Sequence, residues 1–125
     1  MVERHQAYKC MVCGIVAEIL DVGAGELVCC GQPMRLMTPR PAESDDEMHA
    51  VRVEPAASGV KVRVGADQGH PMQAKHFIQW IELLADGAQH RRFLAPGDDP
   101  EAFFAVTGEN CVARGFCNLH GLLKG

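Results

Sequence analysis

From His49 onward the chain falls into short runs in which apolar and polar residues alternate or β-branched residues cluster, each bounded by turn-forming residues: AVRVEP, VKVRVG, HFIQWIELLA, QHRRFLA and EAFFAVTG. A period of two is the mark of a half-buried strand, because successive side chains leave opposite faces of a sheet. In VKVRVG, Val60, Val62 and Val64 take one face and Lys61 and Arg63 the other, the pattern of an antiparallel sheet with one side in water. Asp86-Gly87 is a hairpin turn signal. The run CVARGFC also reads as a strand, and its even spacing places Cys111 and Cys117 on one face. With six or so strands and no helical period, these residues predict a mainly β fold, an antiparallel β-sandwich of roughly immunoglobulin-like size.

The pattern before His49 differs. Met1 to about Met37 holds four of the six cysteines, is punctuated by Gly14, Gly23, Gly25 and Gly31, and has little continuous apolar sequence. Such a segment cannot bury much and depends on a metal or on disulfides. Thr38 to Glu47, TPRPAESDDE, combines prolines with an acidic run and reads as a linker. The expected organisation is a small metal-binding domain over 1–37 and a β-sandwich domain over 38–125, with the linker at about 38–47.

A net charge of −4 over 125 residues, with no Lys/Arg cluster, argues against nucleic acid as a partner. No apolar run approaches the ~20 residues of a membrane span, and MVERHQAYKC lacks the apolar stretch of a secretory signal. The expected location is the cytoplasm, where paired cysteines more often bind metal than form disulfides.

Cys10-Met-Val-Cys13 and the adjacent pair Cys29-Cys30 supply four thiolates, a set suited to a tetrahedral metal. On spacing alone zinc, iron and a redox or disulfide pair all remain open. Adjacent cysteines are unusual in a zinc ribbon, because one peptide link between two ligands strains the angle between them. The stretch from Tyr8 to Met34, YKCMVCGIVAEILDVGAGELVCCGQPM, resembles desulforedoxin and the N-terminal domain of desulfoferrodoxins. That resemblance implies one iron held by Cys10, Cys13, Cys29 and Cys30 as an electron-relay or structural centre.

A second constellation comprises His49, His70 and His76 in the run HPMQAKH, and Cys117 and His120 in CNLH. Any one of these histidines alone is more often an ordinary side chain; together they outline a site that a β-sandwich can gather at one edge. His5 and His90 lie outside the pattern. Imidazole and thiolate suit iron, copper or zinc. A blue-copper site often adds a methionine after its last histidine, where this chain has only Gly-Leu-Leu-Lys-Gly; zinc rarely takes five protein ligands. Iron with an open sixth position fits better. The segments HPMQAKHFIQWIEL and ARGFCNLHG resemble the C-terminal domain of superoxide reductases, which implies His49, His70, His76 and His120 as equatorial ligands and Cys117 as the axial thiolate of a second iron.

The resemblance further implies one-electron reduction of superoxide to hydrogen peroxide, with electrons from an external donor such as a rubredoxin, in a homodimer whose small N-terminal units pack together. It assigns Glu47 as a ligand to the oxidised iron. The lysine that commonly follows this glutamate is Met48 here, so local steering of the superoxide anion is expected to be weaker, with Lys75, beside His76, as the compensating cation. The alternative is a non-catalytic iron or zinc protein acting as an electron carrier. Cys111 is expected to be a buried, inert thiol, and Phe77 and Trp80 to be core residues.

Overall fold

The computed structural model describes residues 3–41, 50–65, 69–106 and 110–124. Two compact units divide the chain, Met1–Thr38 and Pro39–Gly125. Among the described residues there is no helix, and so none long and apolar enough to cross a membrane.

The first unit contains β1 (Ala7–Lys9), β2 (Val16–Glu18), β3 (Val28–Cys29), β4 (Gln32–Pro33) and β5 (Arg35–Met37). Strands β2, β1 and β5 form one antiparallel sheet, and β3 and β4 a separate hairpin. Its buried apolar residues among those described are Ala7, Cys10 and Ile19, while Met11, Val12, Ile15, Leu20, Val22 and Val28 are exposed. So little apolar burial leaves the cysteine cluster as the main source of order in this unit.

The second unit is a two-sheet sandwich. Its elements are β6 (Arg40–Pro41), β7 (Val51–Ala56), β8 (Gly59–Val64), β9 (Ile78–Ala85), β10 (Ala88–Phe93), β11 (Glu101–Phe104), β12 (Cys111–Cys117) and β13 (Gly121–Lys124). One sheet runs β10-β9-β12-β13-β6 and the other β11-β8-β7. All pairs are antiparallel except β6 with β13. The short strand β6 lies inside the stretch read as a linker; its one proline, Pro41, is tolerated because the strand sits at the sheet edge.

The alternation of β8 holds: Val60, Val62 and Val64 are buried, and they meet Ile81 and Leu83 of β9, Ala113 and Cys117 of β12 and Leu123 of β13 in one core. Lys61 and Arg63 turn outward to Glu54 and Glu101, with ion pairs of 3.6–3.7 Å. The β9–β10 hairpin turns on Asp86 and Gly87, with φ of 50° and 81°, the two positive values that a tight primed turn needs.

The outer face of the larger sheet departs from the expected pattern. Trp80 is half-buried there, stacked on Phe116 at 4.5 Å, and does not belong to the core between the sheets. Beside it Glu82, buried in a strand that reads as mostly apolar, accepts hydrogen bonds from Trp80 Nε1 (2.9 Å), Gln89 Nε2 (3.1 Å), Arg91 Nη2 (3.1 Å) and both Nε (2.8 Å) and Nη2 of Arg114. Phe77 precedes β9 and is half-buried, so neither aromatic occupies the core position expected of it.

Candidate metal centres

The first centre is built by two turns. Cys10 follows β1; its carbonyl accepts the Gly14 N–H at 2.9 Å, and the Cys13 N–H points at its sulfur at 3.4 Å. Gly14 has φ +86°, which closes this turn without strain. Cys29 ends β3, and Cys30 and Gly31 form the reversal into β4 with φ of 53° and 73°. The left-handed conformation at Cys30 is uncommon for a residue with a side chain. It is what lets two neighbouring cysteines present their thiols to one point.

All four sulfurs lie within 4.8 Å of one another, with Cys13 to Cys29 at 3.7 Å and Cys29 to Cys30 at 3.9 Å. Four sulfurs at ~2.3 Å from a shared tetrahedral centre stand ~3.8 Å apart, whereas a disulfide needs ~2.05 Å. The Cys13 N–H, ahead of smaller effects, lowers the Cys10 thiol to about 6, while sharing with Cys10 and then Cys13 pushes Cys29 up to about 12. Four thiols so close cannot all ionise unless a cation joins them, which is how a metal site behaves.

The second centre gathers donors from a loop and from the end of β12. His70 is 3 % exposed and is held by its N–H to the Val64 carbonyl at 2.9 Å. Gly65 makes this approach possible: its φ is +93°, and a Cβ there would stand 2.3 Å from the His70 nitrogen. The Nδ1 of His70 lies 2.7 Å from the Pro71 carbonyl. That bond places the ring proton on Nδ1 and leaves Nε2 with its lone pair, the tautomer a metal ligand adopts. His76 closes a reciprocal backbone bridge with Gln73 at 2.9 and 3.0 Å, and its buried Nε2 has no hydrogen-bond partner among the described residues.

Cys117 is fully buried at the end of β12, with its sulfur 3.5 Å from Nδ1 of the exposed His120. Rings of His70 and His76 stand edge to face at 4.7 Å, and those of His76 and His120 at 5.0 Å. One donor atom from each of His70, His76, Cys117 and His120 falls within a 4.8 Å set. Donors on opposite sides of one ion at ~2.1–2.3 Å are separated by ~4.2–4.6 Å, so the cluster matches a single metal in size. Three imidazoles and a thiolate suit a first-row transition metal. The one methionine on this loop, Met72, has its sulfur engaged by the Ile78 N–H at 3.4 Å, which disfavours a copper site with a thioether ligand.

The register of β9 contributes to this edge. Phe116 faces Trp80 but Cys117 faces Ile78, so Gln79 is an extra residue in β9. The bulge brings Ile78, rather than Gln79, onto the core side next to Cys117.

Comparison with known proteins agrees with both centres. The desulfoferrodoxin N-terminal domain model matches residues 2–37, and the desulfoferrodoxin model matches residues 42–125. The chain belongs to the desulfoferrodoxin family. It is 50 % identical to the desulfoferrodoxin of Desulfarculus baarsii and 48 % identical to that of Nitratidesulfovibrio vulgaris, in each case over 124 residues, covering 99 % of this chain and 98 % of the relative. The crystal structure of the superoxide reductase from Treponema pallidum superposes with a TM-score of 0.78 at 28 % identity, over 98 % of this chain and 99 % of that one.

In this chain the structure brings Cys10, Cys13, Cys29 and Cys30 together, and likewise His70, His76, Cys117 and His120. Glu47, Met48 and His49 lie outside the described residues. Lys75 is exposed on the loop between His70 and His76. Cys111 is half-buried against the core edge, in neither cluster, less enclosed than its apolar strand suggests. His5 pairs with Glu18 at 3.4 Å and His90 packs near Phe104 at 6.2 Å. His76 precedes β9, which starts at Ile78, so it sits on a loop and not at a strand start. Sequence reasoning passed over Gly65 and Asn118, which shape the site without donating to it. A glycine closing an alternating strand was the available signal for the first; for the second there was only its position between Cys117 and His120.

Proposed function

We infer that the chain is a superoxide reductase, adding one electron and two protons to superoxide to give hydrogen peroxide without releasing dioxygen. The observation that carries this reading is the convergence of His70, His76 and His120 on the buried Cys117 thiol, in a chain that matches desulfoferrodoxins over almost its whole length. Iron held there supplies the one-electron chemistry and is recharged by an external donor.

In this reading His49 joins the other three histidines as a ligand, and Cys117, as a strongly donating thiolate, makes the centre a better reductant. Glu47 ligates the iron in its oxidised form, and the exposed ammonium of Lys75 draws the anion toward the edge where His76 and His120 sit. The four cysteines of the first unit hold a second iron that relays electrons or orders that unit. Residues 1–37 form the desulforedoxin-like domain and 38–125 the superoxide reductase domain, with the linker at about 38–47. A small rubredoxin-like protein as donor, a homodimer joined through the N-terminal units and a cytoplasmic location complete the proposal. They rest on the family pattern.

Metal analysis and visible absorption of the chain and of its Cys117→Ala and Cys29→Ala variants test it. The parent is expected to hold two irons; Cys117→Ala to lose the second, its thiolate-to-ferric band and all response to superoxide; Cys29→Ala to lose only the first. Iron confined to the cysteine cluster in the parent, with no response to superoxide, would replace this reading with that of an electron carrier.

A further inference from the structure

Strands β9 and β12 part company at the second centre, and the way they do so depends on one side chain. Cys117, the last residue of β12, faces Ile78, the first of β9. Beyond Cys117 the chain must turn so that His120 can return beside it. The Asn118 N–H reaches the Phe77 carbonyl at 3.2 Å and adds a final backbone rung. The chain then leaves, and the Asn118 side chain takes the place of the missing peptide group: its Oδ1 accepts the Phe77 N–H at 2.9 Å, and its Nδ2 donates to the Lys75 carbonyl at 3.0 Å. One amide thus grips the backbone on both sides of His76, across 41 and 43 residues of sequence.

The rest of the loop is anchored elsewhere. His70 N–H to the Val64 carbonyl and Gly97 N–H to the Met72 carbonyl at 2.8 Å secure its His70 end. The Gln73–His76 bridge shapes the loop internally without tying it to β12. Only a side chain offering an acceptor and a donor, at this reach, can do what Asn118 does: an ionised aspartate keeps the acceptor and loses the donor, and alanine loses both.

We propose that Asn118 is a positioning residue of the second centre, holding His76 against the Cys117–His120 turn and so setting the affinity and electronic character of the metal bound there. The proposal rests on the reading that these residues hold a metal, and it is independent of what that metal reacts with. Residues that orient ligands without binding the metal change its affinity by ~10–100-fold when removed.

Cobalt(II) titrated alone into the metal-free full-length chain provides the test, because a sulfur-only site and a mixed nitrogen and sulfur site give different visible spectra. Asn118→Ala is expected to weaken cobalt at the His/Cys centre by ~10–100-fold and to move its thiolate-to-cobalt band, with the cysteine cluster unchanged; Asn118→Asp, nearly isosteric, falls between parent and alanine. If the alanine variant does not fold well enough to titrate, the aspartate variant carries the test. Parent-like affinity and an unmoved band in the folded variants overturn the proposal. A parent that binds cobalt at this centre but, loaded with iron, leaves superoxide unreduced contradicts the functional reading, while the variants still decide the role of Asn118.

Discussion

At the scale of single residues, Glu82 ties side chains of β10 and β12 to β9, and Gly65 lets the His70 backbone close on the end of β8. Burial pushes the Glu82 carboxyl up, but the charge and hydrogen bonds of Arg114, then Trp80 and Arg91, more than reverse this, so it ionises below the ordinary glutamate range. A carboxyl whose folded value is depressed contributes stability above its unfolded value, ~4.3, and loses that contribution as pH falls through the folded value. Glu82→Gln leaves the buried Arg114 charge without its partner. We expect it to cost ~3–5 kcal/mol at neutral pH and to flatten the acid limb of stability; urea unfolding across pH 3 to 7 checks both, and an unchanged acid limb would contradict the assignment. Gly65→Ala forces a side chain into a left-handed position and against the His70 backbone, for ~1–3 kcal/mol of strain. The expected result is loss of iron from the second centre ahead of the first, read by metal analysis; full retention would show that the loop tolerates the shift.

Much of this was legible only in part. The spacing of Cys10, Cys13, Cys29 and Cys30 brought out four donors, but not the left-handed Cys30 that aims two of them inward. Apolar alternation identified the inward valines of β8, where one face is core and the other water. It failed at Trp80 and Glu82 because the outer face of β9 is itself covered, and burial there is satisfied by hydrogen bonds and charge, which no hydrophobic period reports. Asn118 was invisible for a similar reason: its role lies in two bonds to backbone some forty residues away.

At the scale of elements, the two units have opposite sources of stability. The sandwich has a contiguous core from both sheets, whereas the strands β1 to β5 are two or three residues long and enclose little. Their turns were readable as glycines and cysteines, but strands so short carry no period to read, and the same brevity hid β6. Removing the first metal with a chelator is therefore expected to unfold the first unit while the sandwich keeps its structure. Limited proteolysis would then cut within residues 3–38 and spare 50–65 and 69–106. Continued resistance of the first unit without metal would mean that its strands stand on their own.

At the scale of the whole molecule, a chain of net charge −4 must attract an anion. Local cations decide the capture rate under such repulsion, and their effect fades with salt. With Met48 in place of a lysine, the second-order rate with superoxide is expected to depend weakly on ionic strength, and Met48→Lys to raise the low-salt rate and steepen that dependence. Equal slopes would mean that residue 48 does not steer the anion.

A superoxide reductase reduces superoxide and does not dismute it, and the products tell the two reactions apart. The most direct measurement is the yield of hydrogen peroxide and dioxygen per superoxide consumed, made with the iron-loaded chain under a steady supply of electrons. The expected result is one peroxide for each superoxide and no dioxygen. Peroxide and dioxygen in equal amounts, or no catalysed consumption at all, would contradict it.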